Sequence, residues 1–187
     1  IHTSTDVTLL TLFADLKTVS VYSVYYLIVS KISIVLHSLV SGIEPTIGQA
    51  YALGDEKQLN EKLDLYEFVV LISVILLFSL TGMLITPFVM IYTSGITDTN
   101  YYQQVFGVVL VLAESMYLLR SPHVSLAYAA NKFKEITVPA YIEALINIIV
   151  SVVLMQKLGL IGIALGTLIG MIYRGVFHVH FTSKLIP

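Results

Sequence analysis

Residues 68–97 form a run of thirty positions without Asp, Glu, Lys or Arg, and apolar stretches of similar character fill most of the remaining chain. About 20 predominantly apolar residues wound as a helix cross the hydrocarbon core of a bilayer. Short polar breaks divide the chain into five such stretches, at 19–53, 68–92, 101–130, 137–156 and 160–182, preceded by a shorter one at 7–16. The pattern predicts an all-α, polytopic transmembrane helix bundle with about five complete spans and, at 7–16, the end of a truncated one. The sequence starts without an initiator Met or a signal-peptide pattern, so the expectation is a fragment that forms a single transmembrane domain over 1–187.

Local signals refine the boundaries. Gly54-Asp55-Glu56-Lys57-Gln58 opens a polar stretch, and Asp55 with Gln58 three residues on resembles a capping box, so the second span should begin in water ahead of its apolar part. Pro87 and Pro122 predict a kink and a loosened turn, because proline lacks a backbone donor and clashes with the carbonyl four residues back. Lys157-Leu158-Gly159 predicts a tight turn between the last two spans.

Composition agrees with this architecture. Hydrophobic residues make up 57% and charged residues 12% of the chain, and the mean hydropathy is +0.88, whereas soluble domains carry about 25% charged residues. With no cysteine there is no disulfide and no thiolate chemistry. Phosphate-binding glycine loops, zinc spacings and nucleophile elbows are absent from the sequence, and His178-Val179-His180 is too short a pattern to define a metal site. No catalytic residue, metal site or cofactor is expected. The aromatic and lysine positions suit a membrane belt rather than a nucleic-acid surface.

The placement of the ten Lys and Arg sets the orientation. Lys57, Lys62, Lys132, Lys134 and Lys184 fall on one side of the spans and Lys17 and Lys157 on the other, which predicts a cytoplasmic location for the first set and for the C-terminus. Tyr22, Tyr25, Tyr26, Tyr92, Tyr101 and Tyr102 would then form an aromatic belt near the outer interface.

Candidate chemistry lies in the polar groups within the spans. Tyr22, Tyr26, Ser30, Ser33, His37, Ser41 and Glu44 recur at spacings near one helical turn and mark a polar seam. Such a seam serves either hydrogen bonds between helices or the lining of a hydrated cavity. Lys31, Glu114, Arg120, Glu143 and Arg174 are charges within the spans. A lipid-facing charge at the bilayer centre costs about 2.5–3.5 kcal/mol, so most must be paired or solvated internally. One account has structural ion pairs, such as Lys31 with Glu114, and Arg174 and Glu143 snorkelling to the inner interface. The other has cations offered to an anionic substrate or carboxylates to a coupling ion. Gly162, Gly166 and Gly170 permit close helix packing. Arg174 continues their spacing, but an i+4 row drifts around the helix, so it need not share their face.

At Thr5-Asp6-Val7, Val19-Ser20-Val21-Tyr22-Ser23-Val24-Tyr25, Ile47-Gly48, Gly54-Asp55 and the run 159–168 the chain resembles polysaccharide biosynthesis proteins, the Wzx-like flippases of the MATE/MOP exporter superfamily. The resemblance covers nearly the whole chain and implies a MATE/MOP-like C-terminal lobe of a 12–14-helix transporter, whose N-terminal lobe would be the missing partner. It implies translocation of undecaprenyl-diphosphate-linked oligosaccharides across the bacterial inner membrane, hence a transporter and not an enzyme. Arg120, Lys31 and Arg174 would be the substrate or cavity residues, and Glu114, Glu143, Asp6 and His37 the candidates for coupling to H+ or Na+. The bilayer and the lipid-linked oligosaccharide would be its partners, with no nucleic acid. A MATE-like exporter of organic cations would instead make Asp6, Glu114 and Glu143 central. A membrane glycosyltransferase or polymerase fits less well, since the external breaks are short, and a non-transporting scaffold of the same fold is a further alternative.

Overall fold

The computed structural model of the chain describes residues 2–185, and all regular structure among them is helical. The helices are α1 (His2–Phe13), α2 (Leu16–Val40), α3 (Glu44–Leu53), α4 (Glu56–Tyr92), α5 (Gln104–Leu119), α6 (Ser121–Ala129), α7 (Phe133–Leu158) and α8 (Leu160–Thr182). Five segments are long and apolar enough to cross a membrane: α2, α4, α5 and α6 together, α7 and α8. The chain is a polytopic helical membrane protein.

Capping chemistry explains where α2 and α4 begin. The Asp15 carboxylate accepts the Thr18 hydroxyl and its backbone N–H, the latter at 2.8 Å. These bonds, the hydroxyl's first, hold its pKa below the usual carboxylate range. Leu16, expected to end the first apolar stretch, therefore starts α2 instead. Asp55 accepts the Gln58 N–H at 2.9 Å, and α4 does begin in the polar stretch as expected. Its 37 residues measure about 55 Å, well beyond the ~30 Å of hydrocarbon. The polar first turns pack through Leu59, Leu63 and Tyr66, all buried, with α3 as a neighbour.

Two expected single helices are broken. The stretch 19–53 stops at Val40 and resumes at Glu44, because Pro45 cannot donate to the Ser41 carbonyl. The third span divides at Arg120 into α5 and α6, with Pro122 in the first turn of α6. The break expected at 131–136 is narrower, since α7 already starts at Phe133.

The bundle buries polar groups within an otherwise apolar core and turns large apolar side chains outward. Asp6, Ser151 and His178 have 0% exposure while Met83 and Ile91 reach 77%. Apolar side chains turned outward suit lipid as the surrounding medium. The burial pattern corrects the aromatic belt. Tyr22, Tyr25 and Tyr101 are buried and Tyr26 is half-buried, leaving Tyr92 and Tyr102 exposed. The Tyr25 hydroxyl donates to the Tyr101 carbonyl at 3.0 Å and accepts the Gln103 N–H at 3.1 Å, tying the loop before α5 to α2.

Among the described elements α7 and α8 form the tightest hairpin, turning at Gly159 with φ 56. A Cβ on Gly162 would collide with the Leu154 and Met155 backbone, and one on Gly166 with Ser151. At Gly170 it would approach the Glu143 carbonyl at 3.3 Å. The glycine row of α8 thus seats the Glu143, Asn147, Ser151 row of α7 almost backbone to backbone.

Candidate functional site

That contact brings two polar centres together. The first gathers around Asp6 on α1. Tyr22 on α2 donates to Asp6 Oδ2 at 2.9 Å, Thr167 on α8 to the same oxygen at 2.8 Å, and the Asn147 amide on α7 to Oδ1 at 3.3 Å. Asn147 Nδ2 also reaches Thr167 Oγ1 at 2.9 Å, and Thr167 the Ile163 carbonyl at 3.2 Å. The other amide atom, Asn147 Oδ1, is buried with no hydrogen-bond partner. A side-chain amide can be turned over without changing its shape. Turned, it would set Oδ1 beside the Asp6 carboxylate and Thr167 Oγ1, with the Ile163 carbonyl close by. An all-oxygen set of this kind suits a hard cation. No three His, Cys, Asp or Glu side chains converge on a metal site among the described residues.

The second centre lies one turn back along α7, towards its N-terminus. Arg174 Nη1 meets Glu143 Oε2 at 2.5 Å, both side chains mostly buried. Neither snorkels, and Arg174 does reach the face of α8 that the glycines present to α7. Arg120 lies at the α5–α6 break, where its N–H and the Ser121 hydroxyl both turn to the Leu118 carbonyl, the latter at 2.6 Å. This is the carbonyl that Pro122 would otherwise leave without a donor. The side chain points inward with 9% exposure. Its Nε donates to the Tyr117 carbonyl at 3.3 Å, and its guanidinium lies 4.6 Å from the Tyr117 ring centroid. Arg120 Nη1 is buried without a hydrogen-bond partner.

Two polar cavities meet at these arginines. One, of about 250 Å³, reaches Thr5, Glu143 and Asn147; the other, of about 240 Å³, reaches His37, Glu44 and Tyr66. Both share Tyr117, Arg120 and Arg174. The polar seam of the first span accordingly divides. Tyr22 and Ser33 are buried, Ser33 donating to Glu114 at 2.8 Å. His37 and Glu44 line the second of these cavities, and Glu44 accepts the Ser125 hydroxyl at 3.0 Å. Ser41 is exposed and its hydroxyl donates to the Ser38 carbonyl of the preceding turn at 3.1 Å.

Of the expected site residues, Arg120, Arg174, Glu143, His37 and Asp6 line or adjoin these two centres. Lys31 does not. It is exposed in an apolar groove between α2 and α4, Glu114 accepts the Ser33 hydroxyl instead, and the suggested Lys31–Glu114 pair is not among the described salt bridges. Asn147, Thr167 and Tyr117 are additions. The signal for Asn147 was the row Glu143, Asn147, Ser151 opposite a glycine row; Thr167 and Tyr117 carried none.

No protein-family profile, characterised protein or solved structure matches the chain. Its own geometry defines a multi-pass helical membrane protein with a buried arginine centre beside a buried carboxylate–amide–hydroxyl cluster.

Proposed function

We propose that the protein is the C-terminal lobe of a MATE/MOP-like transporter that flips undecaprenyl-diphosphate-linked oligosaccharides across the bacterial inner membrane. The observation that carries this reading is Arg120 Nη1, a guanidinium donor buried beside two polar cavities without a partner. Such a donor held within a membrane matches an anionic group, and a diphosphate offers the planar fork two acceptors at once. The sequence resemblance supplies the substrate class, and an N-terminal lobe of the same fold would supply the opposite wall of the cavity. The test is flipping of a labelled lipid-linked oligosaccharide by the full-length protein in proteoliposomes. Protein-dependent movement is expected, and none at all would overturn the reading. Export of small organic cations is a weaker reading, because the Glu143 carboxylate already holds Arg174.

With the Asn147 amide turned over, the cluster around Asp6 would offer oxygens to Na+, which supports Na+ as the coupling ion. Asp6→Asn removes the anionic oxygen while keeping a similar shape. Flipping driven by a Na+ gradient is expected to fall about 10-fold or more, the loss of one charged interaction of roughly 1.5–3 kcal/mol, with little change in protein level. An unchanged Na+ dependence in this variant would exclude the cluster as the ion site.

The same reading places the C-terminus in the cytoplasm. Because the chain has no cysteine, single cysteines at Gln58, Lys132 and Thr97 report topology directly. An impermeant thiol reagent should label the Thr97 position from outside and the other two only after lysis. External labelling at Gln58 or Lys132 would reverse the orientation.

A further inference from the structure

A third cavity, of about 520 Å³, runs between α5 and α8. Met116, Leu119, Met171, Ile172 and Val176 give it an apolar wall, and Arg120 lies in it. Among the described cavities Arg120 is the residue common to this groove and to both polar cavities. One arginine residue therefore borders both a hydrocarbon surface and polar space. Gly175, also in the groove, differs from the three packing glycines of α8. A Cβ there would meet nothing within 4 Å, and its φ is not positive. Glycine inside a helix costs about 1 kcal/mol against alanine. No close helix contact accounts for it here; what it leaves is open volume along the groove.

We infer that the α5–α8 groove binds the hydrocarbon chain of a lipid with a phosphate or diphosphate headgroup, the headgroup lying on Arg120. The inference rests on the arginine centre of the proposed function and adds the route by which the lipid part reaches it. An apolar wall alone would accept any chain. The buried guanidinium with a free Nη1 donor selects among chains, because hydrocarbon penalises an uncompensated cation and an anionic head relieves that penalty. A phosphate accepts two parallel bonds from the planar fork, which an alcohol cannot do. The chain then stays in apolar surroundings while the polar remainder of the molecule extends into the two cavities.

The test uses full-length protein in phosphatidylcholine nanodiscs and three probes: a labelled polyprenyl phosphate, the corresponding polyprenol, and water-soluble pyrophosphate. Gly175→Phe fills the groove without a backbone clash and is expected to weaken polyprenyl phosphate binding about 10-fold or more, equivalent to ~1.4 kcal/mol, while pyrophosphate binds as in the wild type. Arg120→Gln is expected to weaken both. Should that variant not accumulate, Arg120→Lys serves, with a smaller loss for both ligands. Polyprenol should compete poorly. Wild-type binding of polyprenyl phosphate by Gly175→Phe, or polyprenol competing as well as the phosphate, overturns the groove assignment. Pyrophosphate binding that is indifferent to Arg120 refutes the arginine centre itself, so the two failures are distinguishable.

Discussion

Arg120→Gln is expected to lower flipping of a lipid-linked oligosaccharide about 100-fold or more, and Arg120→Lys about 10-fold, with insertion and protein level unchanged. The magnitudes follow from the bonds each variant loses. A hydrogen bond to a charged group is worth roughly 1.5–3 kcal/mol, so losing two exceeds 100-fold, whereas lysine keeps the charge and forfeits the second parallel bond. Protein level should hold because Arg120 forms none of the described salt bridges. Its Nε–H···O bond to the Tyr117 carbonyl is long at 3.3 Å, and the α5–α6 break is stabilised by Ser121 and by backbone. Normal transport by a well-expressed Arg120→Gln protein would remove this residue from the site. So would a fall in protein level that accounts for the whole loss.

A second large effect is expected at the α7–α8 contact. Gly166→Val should abolish accumulation of folded protein, because its Cβ would overlap Ser151 and lie 3.1 Å from the Asn147 carbonyl, atoms that move only if the helices separate. Overpacking ordinarily costs about 1–3 kcal/mol, and backbone neighbours place this position at or above the top of that range. Gly170→Ala should be milder, since its nearest neighbour is the Glu143 carbonyl at 3.3 Å. Thermal unfolding of detergent-purified variants gives the ranking: Gly166→Ala well below Gly170→Ala, and Gly170→Ala slightly below the wild type. An equal midpoint for the two alanine variants would contradict the backbone contact described above.

The spans were legible in the sequence because burial in lipid imposes an apolar composition over a fixed length, and 160–182 coincides with α8. The breaks were less so. Pro122 signalled the one at Arg120, yet Pro45 was read through, since the stretch on either side of it stays apolar enough for a single helix. The tyrosines at 22, 25 and 101 looked interfacial by type, and tertiary bonds to Asp6 and to the loop before α5 drew them inside. In the site, charges were visible one by one because they are rare in spans. Their partners were not. Glu143 and Arg174 lie on adjacent helices whose rotation is set by the glycine row, and Asp6 meets Asn147 and Thr167 only through the packing of α1 on α7 and α8. Thr167 is an ordinary residue for a membrane helix, so nothing in one sequence singles it out.

The Arg174–Glu143 bridge has a consequence for electroneutrality. Two guanidiniums against one carboxylate leave a single positive charge at the arginine centre, and Glu44 on the wall of the cavity that His37 also lines offsets even that for the cavity as a whole. A diphosphate diester carries two negative charges, so these side chains alone cannot neutralise it. Bound there, it would be an excess anion in a low-dielectric medium, an expensive species to move through hydrocarbon. The deficit has to be met by positive charge from outside this set: cations on an opposing protein wall, or a metal ion that travels with the headgroup. If the proposed function holds, affinity for the diphosphate should depend on whatever brings that counter-charge, and a neutralised complex would be the form able to leave the leaflet where it was bound.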